Sequence, residues 1–142
     1  MSVVRVEAEI AAPPERVFAL LTDHEGFGRM PGMVAKLLEE GSPERNGLGA
    51  LRSLGGAGIA MHERVTAWEP PRAYEYRVVG GTVKLDHRGG RVEVEPTPRG
   101  SRVTWTTEVG GLAGVLGRPI VRSALSRMLA FVKKTAERET PA

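Results

Sequence analysis

The chain has 142 residues and 15.3 kDa, with 41% hydrophobic and 26% charged residues, 18 Gly, 10 Pro and no Cys. That length supports one domain of ordinary size, 1–142, and the composition excludes a disordered chain, a collagen-like chain and a disulfide scaffold. Net charge is +3, and most of it is local: residues 118–139 hold six basic residues (Arg118, Arg122, Arg127, Lys133, Lys134, Arg138) against Glu137 and Glu139.

The opening residues MSVVRVEAEI carry charges at Arg5, Glu7 and Glu9, and lack the apolar run of a secretory leader. No stretch approaches the ~18 consecutive apolar residues of a membrane span, so the expected location is the cytoplasm. Val4, Val6, Ala8 and Ile10 alternate with those charges, which predicts a half-buried strand over 3–11. Pro13-Pro14-Glu15 then starts a helix, with proline in the first turn and a carboxylate at the positive end. Val17, Phe18, Leu20 and Leu21 have helical spacing. Gly and Pro punctuate residues 23–32, which predicts a short irregular helix or loop.

From 33 to 109 the chain reads as successive strands near 33–41, 48–54, 58–68, 73–80, 83–95 and 101–109. Turn signals separate them: Gly41-Ser42-Pro43, Gly55-Gly56, Glu69-Pro70-Pro71, Gly80-Gly81 and Pro96-Thr97-Pro98-Arg99-Gly100. Such short connections favour an antiparallel meander. Residues 118–138 form a final helix, with Val121, Ala124, Leu125, Met128, Phe131 and Val132 on one stripe and Arg122, Ser126, Lys133 and Arg138 facing away. The predicted class is therefore α+β: a seven-stranded antiparallel sheet, two short helices after the first strand, and one long C-terminal helix. A sheet of that size cannot bury its apolar face alone. At ~1.5 Å per residue the last helix reaches about 30 Å, enough to cover it. A twisted sheet curling around one helix leaves a space where the two surfaces diverge.

Alternation also names the side chains that face this space. Ile59, Met61, Glu63, Val65 and Ala67 share one face of their strand; Tyr74, Tyr76 and Val78 share the next; Val103, Trp105, Thr107 and Val109 share the last. On the long strand Val92 and Val94 point inward. A regular strand carries Gly90, Arg88 and Asp86 to that side, whereas a bulge at Gly89-Gly90 turns His87 and Leu85 inward instead. Glu63 is an acid on an apolar face. It either pairs with an arginine of a neighbouring strand, such as Arg88, or acts as a partly buried carboxylate that takes a proton from an activated carbon or holds a ligand hydroxyl. Arg88 then stabilises an enolate or binds a carbonyl, and His87 is a surface histidine or a second candidate base. His24 and His62 read as structural or surface residues. The expected cavity lining comprises Met61, Tyr74, Tyr76, Trp105, Leu125 and Met128, with Met30 and Met33 from the loop before the second strand. Trp68 anchors the turn that follows it.

Four blocks resemble one known family in the right order. They are Ala12–Asp23 (APPERVFALLTD), Met30–Val34 (MPGMV), Glu63–Arg72 (ERVTAWEPPR) and Glu95–Trp105 (EPTPRGSRVTW). Together with the order of elements they resemble the helix-grip fold of the START-like (SRPBCC) superfamily, in its polyketide cyclase/dehydrase and lipid-transport-like branch. The resemblance implies a cavity for a lipid, polyketide or quinone-like molecule between sheet and C-terminal helix. Coenzyme Q-binding proteins and a carbon monoxide dehydrogenase subunit family are neighbouring branches. Relatives often carry Trp just before the Pro-Gly of the second block; Met30 stands there in this chain, which implies a mouth of different shape.

Other chemistry has little support. The histidines at 24, 62 and 87 have no metal-ligand spacing, and there is no P-loop, GxGxxG unit or GxSxG elbow, so neither metal nor cofactor is expected. Nucleic-acid binding would need basic and aromatic residues interleaved, and aromatics are 5% of the chain. Three functions remain. The first is binding of a hydrophobic small molecule, as carrier or sensor. The second is cyclase or dehydratase chemistry on a poly-carbonyl chain, with Glu63 or His87 as base and Arg88 as electrostatic partner. The third is peripheral contact with an anionic membrane through the basic C-terminal helix.

Overall fold

In the computed structural model, which describes residues 2–82 and 86–139, the opening alternation becomes β1 (Ser2–Ile10) with Val4, Val6 and Ile10 buried. Helix α1 (Pro14–Thr22) has Pro13 extended at its N-cap and Pro14 at a first-turn position that needs no N–H donor. It buries Val17, Phe18 and Leu21. The punctuated segment folds as a 3-10 helix, His24–Arg29, that buries His24 and Phe27. Six strands follow: β2 (Val34–Glu39), β3 (Leu51–Gly56), β4 (Ile59–Glu69), β5 (Ala73–Gly81), β6 (His87–Thr97) and β7 (Gly100–Val109). The sheet of seven strands is antiparallel throughout, in the order β1-β7-β6-β5-β4-β3-β2. Residues 83–85, where the long strand was expected to begin, lie outside the described residues, and Leu85 with them.

Two register shifts change which side chains face inward. One lies between Val65 and Ala67 on β4. Beyond it Ala67 pairs with Glu75, so Trp68 rather than Ala67 lies inward, at 5.2 Å from the Phe18 ring and 6.3 Å from the Tyr74 ring. The other lies between His87 and Gly89 on β6, where Gly89 adopts φ +127°. This places the extra residue at Arg88, turns His87 inward and leaves Arg88 outside. Gly90 faces in beside Tyr76, whose ring occupies the space a Cβ would need.

The glycine-rich stretch after β7, for which no element was predicted, forms a short helix α2 (Gly111–Leu116). Helix α3 (Arg118–Glu139) then lies along the sheet, with Leu125, Met128, Leu129, Val132 and Ala136 buried. Two basic residues expected to face away instead tie α3 to β1. Arg122 Nη1 donates to the Arg5 carbonyl (3.0 Å) and Lys133 Nζ to the Glu9 carbonyl (2.6 Å). The Glu137 carboxylate accepts from the Ala11 N–H (2.9 Å). Near these ties the interior is filled: Val17, Leu21, Val103, Val132 and Ala136 are buried, and none of them lines the hollow described below. Toward the start of α3 helix and sheet diverge, and the interior is hollow. Among the described residues no helix is long and apolar enough to cross a membrane.

Candidate functional site

The hollow has a volume of about 330 Å³, at the lower end of the ~300–1,000 Å³ range of small-molecule pockets. α3 contributes Ile120, Val121, Ala124, Leu125 and Met128 as an apolar roof. The 3-10 helix supplies His24 and Phe27, and the loop after it supplies Met33. Of the residues expected as cavity lining, Met61, Tyr74, Tyr76, Trp105, Leu125 and Met128 border it together with Met33. Met30 does not; it is buried in the core cluster and is not among the residues that line the void. Ile120 and Ala124 are both exposed and cavity-lining, which puts the mouth beside the first turns of α3.

The sheet supplies a polar floor. Arg52 on β3 and Glu63 on β4 are direct register partners, and Arg52 Nη2 donates to Glu63 Oε1 at 2.8 Å. The two residues are only 3% and 7% exposed. Glu63 therefore does pair with an arginine of a neighbouring strand, but that residue is Arg52, not Arg88. The Arg52 guanidinium also lies over two rings, 5.4 Å from the centre of Tyr74 and 5.8 Å from that of Tyr76. Its Nε is buried without a hydrogen-bond partner among the described residues. Burial, the largest influence on Arg52, works against its charge; Glu63 and Tyr74 outweigh it and hold the group above its ordinary pKa. Arg88 lies outside the cavity, where it grips the exposed Asp86 through two hydrogen bonds of 2.9 Å.

His87 enters the cavity through the bulge and stacks on Tyr76 with ring centres 5.5 Å apart. Its Nδ1 accepts the Val78 N–H (3.1 Å), so the neutral ring carries its proton on Nε2, which lies 2.7 Å from Thr107 Oγ1 and donates to it. Protonation would face an Nδ1–H against that backbone N–H. Burial, acting first, and the charge of Arg77 lower the His87 pKa. His24, read from sequence as structural or surface, borders the cavity with its Nε2 donating to the Ser53 carbonyl (2.8 Å); burial and then Arg52 lower its pKa. Trp105 Nε1 donates to the Tyr76 hydroxyl (2.9 Å). Burial raises the pKa of both Tyr74 and Tyr76, so both remain phenols.

Two other hollows are surface features. A cleft of about 630 Å³ beside Glu69, Arg72 and Arg91 opens to solvent and is threaded by the exposed pairs of Arg91 with Glu69, Glu75 and Glu93. A shallow groove of about 220 Å³ follows the β3–β4 turn. Among the described residues no group of three or more His, Cys, Asp or Glu is placed to hold a metal ion. Among the ionisable residues that border the cavity, Arg52 and His24 are the two that the sequence did not place there.

Residues 1–137 match the family of polyketide cyclases/dehydrases and lipid transport proteins. The chain belongs to that family. Solved structures agree on the fold. Protein MLL2253 from Mesorhizobium loti superposes with a TM-score of 0.78 at 14% identity, covering 99% of this chain and 100% of that one. TTHA0849 from Thermus thermophilus gives 0.75 at 19% identity, covering 99% and 100%. Ara h 8.0201 gives 0.72 at 16% identity, covering 95% and 97%. At those identities the likeness is one of fold: the START/Bet v1-like helix-grip. No curated protein matches the chain in sequence.

Proposed function

We propose that this protein reversibly binds a hydrophobic small molecule in the cavity under α3, as a carrier or sensor. One observation carries the reading: a largely apolar hollow in which both inward-facing candidate bases are already engaged. Glu63 is held by Arg52, and both ring nitrogens of His87 have partners in Val78 and Thr107. A general base must be free to reach the proton it removes. Family membership supports the same reading. Catalysis of the cyclase or dehydratase type is the second reading. It is favoured by the polar floor, where Arg52, Tyr76 and Thr107 border the same hollow and could orient the carbonyls of a folded chain.

Native mass spectrometry of freshly purified protein tests the first reading, along with titration of the neutral dye N-phenyl-1-naphthylamine. Dye fluorescence should rise on binding, and Ala124→Trp at the mouth should weaken it by about ten-fold or more, roughly 1.4 kcal/mol. A wild-type protein that neither carries a co-purified molecule nor binds the dye overturns the proposal. The second reading requires Glu63→Gln to reduce turnover of a poly-carbonyl substrate far more than its binding.

A further inference from the structure

The charges lining the cavity constrain its occupant. Among the described residues the titratable groups that border it are Arg52, Glu63, His24, His87, Tyr74 and Tyr76. Arg52 and Glu63 cancel as an ion pair. The hydrogen bonds of His87 fix it as a neutral ring, burial and then the charge of Arg52 disfavour the charged form of His24, whose Nε2–H is held by the Ser53 carbonyl, and both tyrosines are phenols. The wall is therefore polar in places but carries no net charge. A buried carboxylate ligand would share the Arg52 guanidinium with Glu63 and leave one anion uncompensated, which disfavours it. A neutral acceptor meets no such cost. Glu63 accepts from only one of the five N–H donors of the Arg52 guanidinium, at Nη2, so donors remain for a ligand oxygen; Nε, sealed in the wall without a partner among the described residues, is not one of them.

We propose that the cavity selects uncharged molecules with an apolar body and a hydrogen-bond-accepting oxygen, the class of aryl ketones and phenols, seated at Arg52, and that it discriminates against carboxylates of the same shape. This rests on the binding reading above and narrows it. The spare donors of Arg52 meet the ligand oxygen, Tyr74, Tyr76 and Trp105 flank it, and α3 covers the apolar body. Glu63 then acts as a specificity residue: it neutralises the cation that would otherwise attract anions.

The test uses two isosteric probes, 2-acetylnaphthalene and 2-naphthoate, in competition with N-phenyl-1-naphthylamine at neutral pH. Wild-type protein should bind the ketone about ten-fold or more tightly than the carboxylate. In Glu63→Gln, Arg52 loses its counter-charge, so the carboxylate should gain about ten-fold or more relative to the ketone. Independently of that variant, the carbonyl carbon of ¹³C-labelled ketone should move downfield on binding to wild-type protein, as it does when the oxygen accepts a hydrogen bond. A bound dye with the carboxylate equal to or tighter than the ketone overturns this inference and leaves the cavity reading standing. An unchanged ratio in folded Glu63→Gln, or an unshifted carbonyl carbon, does the same. Failure of the dye and both probes to bind overturns both.

Discussion

Arg52→Met removes the cation but keeps an apolar stem of similar reach. It leaves the Glu63 carboxylate 7% exposed and without its ion-pair partner. Breaking a buried pair from one side costs about 3–5 kcal/mol. For 142 residues the unfolding entropy is about 0.3 kcal/mol per degree, so the melting temperature should fall by roughly 10–17 °C. Glu63→Leu alone should lose a similar amount, because it strands a buried guanidinium. The double variant removes both charges and should return to within about 2 kcal/mol of wild type, since apolar replacements of whole buried pairs are often neutral. Scanning calorimetry on the four proteins completes the cycle. A loss below about 1 kcal/mol in Arg52→Met, or a double variant as unstable as the two singles combined, would show that the charges are not coupled. The cavity would then not be neutralised by this pair.

Other consequences follow from the same floor. Gly90→Ala places a methyl against the Tyr76 ring and should cost about 1–3 kcal/mol, with an altered near-ultraviolet circular dichroism spectrum; an unchanged spectrum and melt would contradict the packing. Trp105→Phe removes the donor to the Tyr76 hydroxyl and should cost about 1 kcal/mol in chemical denaturation. His24 and His87 have folded-state pKa values below the ordinary 6.5. Below pH 6.5 the unfolded chain therefore binds more protons than the folded one. Their contribution is complete above that pH and is lost as pH falls from it toward the folded-state values. Calorimetry across that window should show falling stability on acidification, less steep in a His24→Asn/His87→Asn double variant. A variant with the wild-type slope would clear the two histidines of the effect.

Much of the architecture was legible because inward and outward positions differ so sharply in polarity. On β1 the charged residues Arg5, Glu7 and Glu9 mark the solvent face, and on β7 Val103, Trp105, Thr107 and Val109 mark the core face. What escaped was geometry that polarity does not encode. Nothing about Thr66 marks a bulge, so Ala67 and Trp68 exchanged faces. Gly89-Gly90 did mark one, and it decides that His87 rather than Arg88 meets the cavity. Arg52 could have been found by counting. A β3–β4 hairpin centred on Ala57-Gly58 pairs residue 52 with residue 63, which sets an arginine opposite the inward glutamate. His24 gave no such signal, because its direction comes from how a non-periodic 3-10 segment packs. The glycines at 111 and 114 masked α2, although Leu112, Val115 and Leu116 have helical spacing; each glycine costs roughly 1 kcal/mol against alanine in a helix.

The hollow itself carries a thermodynamic cost that separates binding from folding. Core cavities cost about 24 cal/mol per Å³ when sealed and empty. For 330 Å³ that rate gives about 8 kcal/mol, an upper bound because the mouth at Ile120 and Ala124 admits water. The filled end of the sheet, with Val17, Leu21, Val132 and Ala136, has to offset whatever part of it is real. A side chain that occupies the hollow should relieve the cost and abolish binding at once. Ala124→Trp should therefore melt at or above the wild-type temperature while losing the dye, and adding ketone should raise the melting temperature of wild-type protein only. A variant that keeps wild-type dye affinity would show that the dye sits elsewhere. One that loses several kcal/mol would show that the space beneath α3 is already occupied by packed side chains.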